Sequence, residues 1–380
     1  MESANLTMAL KQLTRLLFSI QKQLLPALEE AMGPLNVQEQ RFVKVLELLK
    51  LHKHVDRLGW KGNGRPPNSH LFMARAFVAK ATWNMPTTND LIRQLEGNTN
   101  LRRLCGWEDG PSSVPDKSIF SRAFAAFARI ELGQRVHEAL ISEQLGKQVI
   151  EHAATDGTAI EARERVEPSA QPAPAQPERP KRKRGRPHKG EIVPPPEPTR
   201  LQRHLERLLA DNLNDMPPVR CDWGCKTNSQ GHTDYWRGYK LHIITGDGDI
   251  PLSAYLSSAS MHDSQAAIIL EQSAAARIKA LLYQLKDSAY DAAAIRAHSE
   301  KIGSIPIIEK RDYRSAQAVP MEPDRARRYK ARSSAERVNS DLKDNHGGRT
   351  VRVRSASKVG LHLMFGLLVM SAEALLRLVQ

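Results

Sequence analysis

A chain of 380 residues has room for two or three domains, each with its own core. Its apolar share of 41% is ordinary for a globular protein and excludes wholesale disorder. Against 42 Asp and Glu stand 56 Lys and Arg, a net charge of +14 that points to a polyanionic partner, most often nucleic acid; a ribosomal-type or merely soluble basic protein would have the same balance.

The opening apolar run begins behind Glu2 and is broken by Lys11, Arg15 and Lys22, so no signal peptide is expected. From Leu10 onward, Leu13, Leu17, Ile20, Leu24 and Leu28 recur every three or four positions and form one stripe of an amphipathic helix. Pro26 should kink it and Gly33-Pro34 should stop it. A second helical stretch is expected over Val37–Leu58, followed by a polar loop from Gly62 to Ser69. Further helices are expected over Leu71–Ala81, Asp90–Leu95 and Ser118–Leu132, with Asp90 and Ser118 near their caps. Residues 1–146 therefore read as an all-helical amino-terminal domain, suited to DNA binding or to assembly.

Ten of the chain's 23 prolines fall between Val166 and Arg200, where no core can form, so 166–200 reads as a linker. Within it, Arg179–Lys189 holds seven basic residues and no acid, so its removal would take the net charge from +14 to +7. Arg184-Gly185-Arg186-Pro187 matches the core of an AT-hook, in which Arg184 and Arg186 would lie in a narrow A·T minor groove. A generic basic tether on phosphates fits the same residues.

Strand signals cluster around and after the linker. Val149–Thr155 should end at Asp156-Gly157, and Tyr239–Thr245 and Ile250–Leu256 should form a hairpin across Gly246-Asp247-Gly248-Asp249. A helix over 264–277 entered through Asp263, a strand over Ala280–Leu285 leading to Asp287, a helix over Asp291–Glu300 and a strand over Ile305–Ile308 follow. Helices over Arg325–Asp344 and Leu361–Val379 close the pattern; the latter carries His362, Glu373 and Arg377 and reads as a buried helix covering the sheet, not a membrane span. The whole is an α/β layout with a mixed five-stranded sheet. Three cysteines, Cys105, Cys221 and Cys225, make no disulfide framework and suit a reducing cytosol. Cys221 and Cys225 with His232 and His242 fit no structural zinc spacing closely.

Tyr329, Arg332, Glu336 and Lys343 lie at offsets of 0, 3, 7 and 14, within roughly 60° of arc on a helix. Ala331, Ala335, Val338 and Leu342 gather opposite, as on any helix with one solvated face. The spacing is more specific: Tyr-x2-Arg-x3-Glu-x6-Lys resembles the signature of bacterial insertion-sequence transposases of the DDE type. Asp156 in Ala154-Thr155-Asp156-Gly157-Thr158 and Asp287 in Leu285-Lys286-Asp287-Ser288-Ala289-Tyr290 resemble that family's first and second acids. Trp236–His242, Ser260–Ser264 and Val114–Arg122 resemble its hairpin surroundings and the end of its helical domain. Departures are Ala289, where relatives usually have Gly, the long proline-rich insertion, and the absence of a large insertion before the signature helix.

The resemblance implies a ribonuclease H-like catalytic domain over 147–380. It implies two Mg²⁺ ions about 3.5–4 Å apart, with Mn²⁺ able to substitute, acting on a phosphodiester. Asp156 would bridge the metals, with Asp287 on one and Glu336 on the other or on both. Arg332 and Lys343 would grip phosphate and Tyr329 would meet a nucleotide at the cut. Asp291 and Asp263 read instead as helix caps. The partners implied are double-stranded DNA, as transposon ends and target, and a second copy of the chain, because two ends must be brought together. The implied location is the cytoplasm, at the nucleoid. A transposase-derived DNA-binding protein, or a nuclease of this fold without strand transfer, carries the same residues.

Overall fold

The computed structural model describes residues 2–55, 68–166, 197–227, 231–310 and 320–379. The basic strap, with Arg184 and Arg186, and most of the Gly62–Ser69 loop lie outside these residues.

Helix α1 (Glu2–Ser19) passes through one π-helical segment, Ile20–Leu24, into α2 (Leu25–Met32). Pro26 sits in the first turn of α2, and the π segment just before it takes up the mismatch that a ring in mid-helix would cause. Gly33, at φ 87°, ends α2. A capping box between Asn36 and Glu39 opens α3 (Val37–Leu49). The stretch expected to reach Leu58 breaks earlier, because Lys50 turns left-handed before α4 (His52–Val55). Then come α5 (His70–Thr82), α6 (Thr88–Gly97), α7 (Thr99–Cys105), α8 (Lys117–Arg129) and α9 (Leu132–Leu145). The cap of α6 is Thr87, with Asp90 three residues inside returning the bond, and α8 starts from Asp116 and not Ser118.

Among the described residues six strands form one mixed sheet: β1 (Val149–Glu161), β2 (Asp222–Thr227), β3 (Thr233–Gly246), β4 (Ile250–Ser258), β5 (Ala280–Lys286) and β6 (Ile305–Ile308). Five of them run β4–β3–β1–β5–β6, with β1 antiparallel to β3 and parallel to β5. The short β2 pairs with the first half of β3 and brings the strand count from the expected five to six. Strand β1 does not stop at Thr155; it continues through Asp156 to Glu161, because β3 offers eight paired positions from Ala154 onward. Pairing across the sheet thus overrides the poor strand preference of Asp-Gly.

Helices α10 (Arg200–Glu206), α11 (Leu209–Asn214), α12 (Ser264–Ala275) and α13 (Ala293–Lys301) cluster together on one side, with α12 packed on β3 and β4. The predicted helix over Arg325–Asp344 is broken into α14 (Pro323–Tyr329), a 3₁₀ turn at Lys330–Arg332, and α15 (Ser333–Asn345). Ala335, Val338 and Leu342 of α15 are buried, and α15 packs on β1 and β3.

Helix α16 (Ala356–Arg377) is long and apolar enough to cross a membrane, yet 94% of its apolar window is buried inside the protein. It touches β4 and α15 as well as α3, α5, α8 and α9. Phe365 stacks on Phe77 at 5.7 Å, and Glu373 pairs with Arg41. One apolar core therefore runs from Leu13 of α1 to Leu376 of α16, across residue 146.

Candidate active site

Alternation along the sheet sorts the acids by face. Thr155 of β1 pairs with Lys286 of parallel β5, so Asp156 and Asp287 come next at one level of the sheet and on one side. On that side Asn339 of α15 donates its Nδ2 to Asp156 at 2.9 Å. On the other side Lys286 is buried against Glu271 of α12. Asp287 keeps an extended backbone past the strand, and its Oδ1 accepts the Ala289 N–H at 2.9 Å.

Burial is the first cause lifting the Asp156 carboxyl to about 6; Lys226 of β2 opposes the shift and the Asp287 charge adds to it. Asp287 is raised too, by burial and by Asp263, against the Ala289 N–H, Arg332 and Lys226. Tyr290 is wholly buried beside these three aspartates, and its hydroxyl is pushed far up. Burial works against the charge of Arg332, but Tyr329, Glu336, Asp156 and Asp287 together raise its pKa. This is a compact, low-dielectric patch with more acid than its cations comfortably neutralise.

The other predicted residues surround it unequally. Glu336 is more than half exposed and takes Arg332 Nη2 at 2.6 Å. Tyr329 donates its hydroxyl to Glu309 at 3.3 Å, its pKa is pushed up to about 12 by burial, and its ring lies 5.7 Å from the Arg332 guanidinium. Lys343 is lowered by burial and by Arg349 and Lys226, while the charges of Glu161 and Asp156 oppose this. Because a 3₁₀ turn separates Tyr329 and Arg332 from α15, the four signature residues do not share one unbroken helix.

Asp263 and Asp291 do not act as the expected caps. Asp263 precedes α12 with helical backbone angles and makes no cap bond; its Oδ1 lies 2.8 Å from Lys240 Nζ and 3.7 Å from His242 Nδ1. His242 is fully buried, gives or takes a hydrogen bond with Ser257 at 2.8 Å, and is lowered to about 4 by burial. Gly157 sits over this pair, where an added Cβ would come within 3.0 Å of Asp263 Oδ1 and 3.1 Å of His242 Nδ1. Asp291 falls before Ala292, the true cap of α13, and takes Arg296 at 2.6 Å.

Residues 148–371 match the family model described as Transposase DDE domain, and residues 29–126 match one described as Transposase domain (DUF772). The chain belongs to the DDE transposase family. No curated protein and no solved structure matches it. The DDE match covers all six strands and every residue of the acid patch, so the work of this transposase, DNA transposition, has its α/β half there.

A hard divalent cation suits what the patch offers. Asp156 and Asp287 are oxygen donors whose charged forms burial disfavours, and the buried Oδ1 of Asn339 has no hydrogen-bond partner among the described residues. Glu336 is not yet with them: among the described residues no three His, Cys, Asp or Glu side chains are close enough to hold a metal. Sequence reasoning missed Asn339 and Lys226. Asn339 stands three residues after Glu336, on the same helical face, and could have been found; Lys226 lies on a strand without alternation.

Proposed function

We propose that this transposase binds the terminal inverted repeats of an insertion sequence, cuts DNA beside them and joins the freed ends to target DNA. It would act as a homodimer on double-stranded DNA at the nucleoid. The carrying observation is the level pair Asp156 and Asp287 on adjacent parallel strands, both with carboxyls raised by burial. The strand order β4–β3–β1–β5–β6, a hairpin on one side of β1 and two parallel strands on the other, supports a ribonuclease H-like reading of the fold.

Asp156 and Asp287 would hold the metal, with Asn339 steering Asp156 through its amide. Glu336 would join them by exchanging Arg332 for the ion, a change open to it because its own carboxylate is more than half exposed. When bound, two Mg²⁺ ions, or Mn²⁺ in their place, make a water nucleophilic near neutral pH and neutralise charge on the leaving oxygen. Arg332, released, presents a planar fork to a phosphate, and Lys343 presents a point charge further along α15. Tyr329, kept protonated by burial, can donate its hydroxyl to a nucleotide beside the cut.

Asp156→Asn, Asp287→Asn and Glu336→Gln should each lower Mg²⁺-dependent cleavage of a duplex carrying the element's end by at least about 10³-fold, the scale of losing one essential electrostatic group. Duplex binding should persist. An Asp287→Asn protein that cuts at the unmutated rate would remove Asp287 from the site.

A further inference from the structure

A cleft of 420 Å³ opens where the helical head meets the last third of the chain. Its floor is aromatic, made by Phe77 of α5, Phe120 and Phe124 of α8 and Phe365 of α16. Among the described residues six cations line it, Lys80, Lys117, Arg163, Arg352, Arg354 and Lys358, and no Asp or Glu does. They come from α5, α8, the end of β1, the segment after α15 and α16, so folding alone assembles them. None of the six makes an ion pair with another described residue.

The two histidines of the wall add no charge. His346 meets the Ala81 carbonyl at 3.3 Å, and His362, lowered to about 4 by burial, meets the Gly347 carbonyl at 3.0 Å. Lys80 is the deepest cation, and burial lowers its amine to about 8 against the pull of Asp90. Asp90 is already engaged by Thr87 and Arg93. Six like charges gathered over a low-dielectric floor repel one another, and the anion that acts on Lys80, Asp90, is shared with Thr87 and Arg93.

We propose that this cleft is a second DNA-binding site, in which Lys80 and the rim arginines hold phosphates of the strand being processed. The proposal rests on the transposase reading for its ligand, since a DNA strand supplies phosphates about every 3.4 Å. Arg163 is seven residues beyond Asp156, at most about 25 Å along the chain. The grip therefore falls within roughly seven base pairs of the acids, and head and catalytic half close on the same DNA.

The full-length protein tests this. Amine labelling read by mass spectrometry should slow about tenfold at Lys80 when duplex is present at about ten times its Kd. Inorganic phosphate at the same total concentration of phosphate groups should protect Lys80 far less. Arg352→Gln combined with Arg354→Gln removes two exposed cations that make no ion pair among the described residues, and should flatten the slope of log K against log salt by about 1.8. The matched pair Lys11→Gln and Lys22→Gln on the exposed side of the first helices should leave the slope unchanged. Duplex that binds with Lys80 still labelled at its free rate and the slope unaltered would overturn the cleft site while leaving the transposase reading intact. Protection by phosphate alone would make it a small-anion site and overturn the DNA assignment. An unmutated chain that binds no duplex would overturn both readings.

Discussion

Two carboxylates on opposite faces of the same sheet, one buried and one half-buried, have opposite fates. Glu271 of α12 is fully buried, and its oxygens take Lys286 and His298 at 2.6 Å and Ser299 at 2.9 Å. Burial works against its charge, but Lys286 and His298 more than offset that and hold its pKa below the ordinary value. Asp156 is half-buried, receives a side-chain hydrogen bond from the neutral amide of Asn339, and is pushed up to about 6 by that burial. Lys286 and Asp287 are neighbours in sequence, so one step along β5 passes from a satisfied ion cluster to an acid pair short of positive charge. A carboxylate that the protein neutralises itself is scaffold; one it leaves unneutralised is free to serve a ligand.

The comparison can be broken most sharply from the scaffold side. Glu271→Ala strands the buried Lys286 ammonium and should cost about 3–5 kcal/mol in urea unfolding. A loss no greater than that of the exposed Glu300→Ala would mean that the cluster is not ionised as described. On the other face the sign reverses. Asp156 has a folded pKa above its unfolded value, so its charge destabilises the fold increasingly as pH rises from about 4 to 6, and fully above that. Asp156→Asn should therefore be more stable than the unmutated chain by up to about 3 kcal/mol near pH 8, while cleavage is lost. The gain should vanish near pH 4, where the acid is protonated in both states. Equal stability at the two pH values would show that Asp156 is not strained by burial. The smallest effect sharpens the reading further. Mg²⁺ at about ten times its Kd should stabilise the unmutated chain by about 1.4 kcal/mol and leave the combined Asp156→Asn, Asp287→Asn protein unchanged. Equal stabilisation of both would move the ion elsewhere.

Much of the α/β half was legible because strands β3 to β6 and α12 carry local signals: alternation, a Gly-Asp-Gly-Asp turn and acidic residues at strand ends. Asp156, Asp287 and Glu336 were singled out by spacing and resemblance; the structure sets the first two level on neighbouring strands and leaves Glu336 apart from them. The rest depended on partners that no local pattern announces. The extension of β1 past Asp156 comes from β3, some eighty residues later. The 3₁₀ turn at Lys330–Arg332 interrupts a pattern that reads as one helix. The basic cleft draws on residues from Lys80 to Lys358, and only the folded chain brings these charges together.

Helix α16 has a consequence for the order in which this protein is made. Domains usually fold as units during synthesis, the amino-terminal one first. Here the head leaves Phe77, Phe124 and the Arg41 side chain facing residues of α16, and the sheet leaves β4 facing the same helix. Neither half can close its core until residues 356–377 have left the ribosome. The nascent chain therefore carries two unfinished apolar surfaces until α16 has emerged, and that helix acts as the pin that locks the helical head to the sheet.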